Sequence, residues 1–202
     1  MRCLFSIPVL RSAVLVSLLP ICLFAVPSYS QQQPAVAAPA SGTQVGATVL
    51  SSEEKAALLK QVQAAQELFN QQDFDGMMRV MSPAIFKLYN KEAFEKAGRQ
   101  AMAQLKALGV KYLKTEFGEP SPLYKAGNEI ICFVPRTSTI QIQGKLIKST
   151  AYWVAVRPAD GSEWKFVDGA GIQNNHALLW QMFPELQKDI QFPEWKQEAI
   201  QQ

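Results

Sequence analysis

Histidine and cysteine are almost missing from this chain of 202 residues, and their scarcity removes whole classes of chemistry. His176 is the only histidine. A metal site built on several imidazoles is therefore excluded, as is a His–Asp pair within the strand-rich stretch, which ends before His176. Cys3 and Cys22 fall in the opening segment, which leaves Cys132 alone and no partner for an internal disulfide. Cys132 stands between Ile131 and Phe133 and reads as a small buried hydrophobe rather than a reactive thiol. No metal or cofactor is expected. Nucleophile motifs are missing too: there is no Gly-x-Ser-x-Gly elbow, no phosphate-binding glycine loop and no metalloprotease helix.

Charge of one sign is also scarce. The net charge of +3 includes Arg2 and Arg11, which belong to the opening segment. Without them the remainder is close to neutral, and no basic stripe with interleaved aromatics occurs, so nucleic-acid binding has little electrostatic basis.

The opening reads as an export signal over residues 1–30. Arg2 and Arg11 are followed by an apolar run from Ala13 to Val26, and Ser28-Tyr29-Ser30 places small residues where a signal peptidase cuts. At about fifteen residues the run falls short of the roughly twenty a membrane span needs. The expected location is periplasmic or secreted, with no stable span after cleavage. Residues 31–50 contain no charged residue and are built of Gln, Ala, Pro, Ser, Gly, Thr, Val and Leu, the composition of a flexible tether.

Helices are expected next. Ser51-Ser52-Glu53-Glu54 has the spacing of a capping box, and Leu58, Val62, Ala65 and Phe69 recur at helical spacing behind it. Short helices over Met77 to Met81 and Ala84 to Tyr89 follow, the second opened by Ser82-Pro83. A fourth helix carries Phe94, Ala97, Ala101, Leu105 and Leu108 on one stripe and ends at Gly109.

The strands come after. Val110 to Phe117 and Leu123 to Lys125 read as short ones. Ile130 to Ile142 and Lys145 to Arg157 flank Gln143-Gly144, a two-residue hairpin turn, and Glu163 to Asp168 makes a third long-sheet strand. Pro135 marks a bulge or an edge. Both sheet faces carry apolar residues, so both are expected to be covered. A short helix containing Leu178, Leu179, Met182 and Phe183 and an arm with Ile190, Phe192 and Trp195 close the chain. Helices first and antiparallel strands after indicate an α+β fold with the sheet curved around one long helix.

The run from Leu68 to Asp75, followed by Met77 to Met81 and Ser82-Pro83, resembles the opening of the nuclear-transport-factor-2-like superfamily, also called SnoaL-like or cystatin-like. Gly161 to Asp168, with Trp164, Phe166 and Asp168, is similar to the closing strand of its small exported bacterial members. The resemblance spans residues 51–172, with 173–202 as a C-terminal helix and arm. It implies a cone whose mouth holds a small ligand, and dimers packed sheet on sheet. That superfamily includes isomerases, dehydratases, binding proteins and inert scaffolds, so fold alone does not choose among them.

Several residues carry the chemistry if there is any. Asp168 is the acid–base candidate, since a carboxylate following Trp164 and Phe166 is partly desolvated; its rival role is to close the Asp-Gly turn. Tyr152 is the candidate proton donor to a bound carbonyl. Trp153, Trp164 and Phe166 are candidate walls of an apolar pocket, and Arg136 a candidate clamp for an anion. The leading expectation is a non-catalytic exported domain that binds a small apolar ligand or a protein partner, as a dimer. The alternatives are an isomerase- or dehydratase-like enzyme using Asp168 with a tyrosine, and an accessory or immunity-type protein that presents Phe192 and Trp195 on an exposed apolar patch.

Overall fold

The computed structural model describes residues 48–200. The expected export signal and the tether up to residue 47 lie outside them. The ordered fold begins slightly before the expected boundary at Ser51: Leu123 N–H donates to Thr48 O at 2.9 Å, and Leu50 packs on the core.

Helix α1 (Ser52–Asn70) starts at the expected capping box. Glu54 N–H donates to Ser51 Oγ, and Ser51 N–H donates to the Glu54 carboxylate. That carboxyl is held below its ordinary value, first by its bond to the Ser51 backbone. Helix α2 (Phe74–Val80), a 3-10 turn over Pro83–Lys87 and helix α3 (Lys91–Ala107) follow. Gly98 of α3 is required by close approach: a Cβ there would stand 2.1 Å from the Phe74 ring of α2. The α3 stripe differs from expectation at its end, because Leu108 lies beyond the last turn and is exposed.

Six strands form one sheet, every ladder of which is antiparallel. Its spine is the hairpin of β3 (Glu129–Ile142) and β4 (Lys145–Pro158), paired without interruption. Gln143 and Gly144 both take positive φ, 49° and 80°, as a turn matching strand twist requires. β1 (Lys111–Phe117) and β2 (Tyr124–Ala126) share the outer side of β3, while β5 (Lys165–Asp168) and β6 (Lys196–Ile200) share the outer side of β4. Helices before an antiparallel sheet make this an α+β fold, as the chain's periodicity indicates.

Pro135 sits at neither a bulge nor an edge. It lies inside β3 opposite the gap between β1 and β2, where its carbonyl accepts from Gly118 N–H and its missing N–H costs no ladder bond. The bulge is in β1, between Tyr112 and Lys114.

Alternation along β4 sends Trp153 and Ala155 to one face and Tyr152, Val154 and Val156 to the other. The first face packs on α1 through Leu58, Val62 and Ala65; the second packs on helix α4 (Ala177–Met182) and on Phe183 and Leu186. Leu179, Met182 and Phe183 are fully buried, so the C-terminal segment is part of the core. Phe192 and Trp195 are half-buried, and the arm ends in β6, where no strand was expected.

Trp164 is buried against α1, with the Arg157 guanidinium 5.1 Å above its ring. Trp164→Ala is expected to cost about 3–5 kcal/mol in chemical denaturation. A loss below roughly 1 kcal/mol would place Trp164 at the rim of a pocket instead.

Candidate functional site

The sheet face under α1 is filled. Trp153, Trp164 and Phe166 are buried among Val62, Ala65, Val134 and Ala155, so these three candidate pocket walls are core residues. What remains is a crevice of about 30 Å³ lined by Ala65, Met77, Val80, Met81, Trp153, Phe166 and Asp168. That is room for a water or two rather than for an organic ligand.

Beside the crevice lies a buried polar network centred on Arg136. Its side chain points from the inner strand β3 under α1 and is 7 % exposed. Nη1 donates to Gln66 Oε1 at 2.9 Å and Nη2 to Asp168 Oδ1 at 2.8 Å. The guanidinium stacks 4.5 Å from the Trp153 ring centroid and 5.7 Å from that of Phe69. Trp153 Nε1–H donates to the same Gln66 oxygen at 3.1 Å, and Gln66 Nε2 donates to Asn70 Oδ1 at 2.9 Å. Arg136 is thus neither a solvated edge charge nor a free anion clamp: both terminal nitrogens and a ring face are engaged.

Asp168 does two structural things at once. Besides the ion pair, its Oδ1 accepts from Ala170 N–H at 3.0 Å and caps the 3-10 turn over Gly169–Gly171. A carboxylate paired with a buried guanidinium is a poor general base, because abstracting a proton would weaken the pair. Tyr152 is out of position as well. Its register partner is Pro135, whereas Asp168 pairs with Trp153, so the two project from opposite faces. Tyr152 packs by its edge against Phe133, with centroids 5.8 Å apart, and burial pushes its hydroxyl up. The crevice that Asp168 lines is not lined by Tyr152.

Sequence reasoning missed Gln66 and Tyr112. Gln66 stands one turn from Val62 on the stripe that faces the sheet, a position where a polar residue is itself a signal of a buried partner. Tyr112 packs edge-on against Phe69 at 5.2 Å, and burial raises its hydroxyl, opposed by Arg136. Cys132 is fully buried as expected, its thiol pushed up to about 11 by burial. Among the described residues no three His, Cys, Asp or Glu side chains lie close enough to hold a metal ion. No described helix is long and apolar enough to cross a membrane.

The network is expected to behave as one unit. Arg136→Met alone should cost roughly 3–5 kcal/mol, because it strands a partly buried carboxylate. Adding Asp168→Asn should then cost much less than it does in the parent chain, by on the order of 1 kcal/mol or more in a double-mutant cycle. Additive losses would show that the two side chains are not coupled.

No family model, no curated protein and no solved structure matches this chain, so its assignment rests on the geometry above.

Proposed function

We propose that this chain is an exported, non-catalytic domain of nuclear-transport-factor-2-like fold that binds a protein partner on the outer face of its sheet. The observation that carries the reading is the contrast between the two faces. The inner one is closed by α1 and the Arg136 network, with only about 30 Å³ left. The outer one is half covered, by α4 and the C-terminal segment over Phe133, Tyr152, Val154 and Val156, and half open.

The open half has a definite chemistry. Two rows cross four strands in register: Glu116, Thr137, Thr150 and Lys196, then Lys114, Thr139, Lys148 and Glu198. Thr137, Thr139 and Thr150 lie half-buried in the middle beside exposed Lys148, and charges of both signs stand exposed at the flanks. Lys114 pairs with Glu116 at 2.8 Å and Lys196 with Glu198 at 2.5 Å. Lys114 holds the Glu116 carboxyl below its ordinary value, Lys196 does the same for Glu198, and Lys148 adds to both. Such a surface suits a protein of mixed charge rather than a polyanion or an apolar lipid, and alternating signs favour one docking register over its neighbours. The enzyme alternative has no comparable support, since Asp168 is tied to Arg136 and Tyr152 faces away from it.

A photo-crosslinking residue in place of Thr139, introduced in the organism that makes the protein, tests this. The expected result is a discrete protein adduct that is missing when the crosslinker replaces exposed Lys60 on α1. No adduct at Thr139, or the same pattern from both positions, would overturn the reading.

A further inference from the structure

Strand β1 is an open edge of the sheet. Among the described residues its only ladder is with β3, and no other backbone hydrogen bond involves residues 111–117. None of its side chains is buried, and Leu113 is 54 % exposed. Open edges commonly carry a device against pairing, and here it is the bulge between Tyr112 and Lys114. That bulge guards one end only. From Lys114, opposite Thr139, to Phe117, opposite Arg136, the strand is regular.

The register decides which main-chain groups face outward. Along an antiparallel ladder, pairs that exchange hydrogen bonds alternate with pairs that do not. Gly118 N–H donates to Pro135 O, so Glu116 and Lys114, two and four residues back, turn their main-chain groups towards β3. Thr115 and Phe117 therefore turn theirs to the open side. The Lys114 and Glu116 side chains stand exposed on the outer face of the sheet, one on each side of Thr115.

That charge order is complementary to itself. When two copies of β1 run antiparallel about a two-fold axis, outward groups meet outward groups only if the axis passes through a residue. An axis at Lys114 sets lysine on lysine, and one at Glu116 sets glutamate on glutamate. An axis at Phe117 runs the pairing past the end of the strand. An axis at Thr115 sets Lys114 opposite Glu116 twice and brings exposed Leu113 opposite Phe117. Opposite charges across a strand pair stabilise it and like charges oppose it, so charge selects one register.

We propose that two copies of this chain join edge to edge through β1, antiparallel and centred on Thr115, into one continuous sheet. The contact is isologous, and closing it leaves no free β1 edge to recruit a third copy. Because the axis is perpendicular to the sheet, the outer face stays outer in both copies. The row that ends in Glu116 then runs on into the row that begins with Lys114 of the second copy. The pairing does not rest on a protein docked on that face, which it leaves open.

The test is sedimentation of the full chain and its variants, made in the organism that produces the protein. The parent is expected to dimerise. Lys114→Glu and Glu116→Lys each make both cross-strand charge pairs repulsive, and each should weaken the dimer by about tenfold. Mixed together, the two variants should pair with each other about as tightly as the parent does, since every cross-strand pair is then attractive again. Both sites are exposed, so neither change should alter the fold. Thr115→Pro removes an outward N–H that β3 does not use, and should abolish the dimer with the sheet's circular dichroism retained. A parent that stays monomeric at the highest concentration it tolerates would overturn the proposal. So would single variants that dimerise as tightly as the parent, or a mixture no tighter than its components.

Discussion

The structure depends on keeping one positive charge, that of Arg136, under helix α1. A guanidinium taken out of water is costly unless its donors and its charge are met, and here three elements meet them. Gln66 comes from α1, Trp153 from β4 and Asp168 from the end of β5. Asp168 then caps the turn that leads the chain over to the other face. One cation therefore sets how α1 lies on the sheet and where β5 stops.

The same network explains why the inner face looks unlike a ligand site. A cone that accepts a ligand leaves its polar groups waiting for a partner. In this chain the guanidinium bonds to the Asp168 carboxylate and to Gln66, which also accepts from the Trp153 indole N–H, and Phe69, Trp153 and Phe166 occupy the space between. With that face closed, the C-terminal segment shapes the other one. It buries Phe133, Tyr152 and Val154, leaves the threonine rows open and ends as a strand on the neighbouring edge. Surface contact is the mode of action we propose for such a domain.

Local chemistry made much of the fold readable. The capping box at Ser51, the positive-φ pair Gln143-Gly144 and the long β-branched runs each specify their element within a few residues. β6 was not readable, since Lys-Gln-Glu-Ala-Ile has no strand pattern of its own and becomes a strand only by pairing with β4. The placement of Pro135 depended on a gap between two other strands, equally invisible in one strand's sequence. The candidate site divides in the same way. Arg136, Trp153 and Asp168 stood out one by one, as clamp, pocket wall and base. Only the sheet register and Gln66 on α1 show that they satisfy each other. Tyr152, one residue from Trp153, is sent by the pleat to the opposite face.

The claim on which the account turns is that the domain holds no ligand inside. Native mass spectrometry of residues 31–202, purified without refolding from the organism that makes the protein, tests it most directly. The account predicts masses equal to the bare polypeptide or its simple multiples. A species heavier by a few hundred daltons, with the extra mass lost on unfolding, would contradict it and reopen the inner face as a binding site.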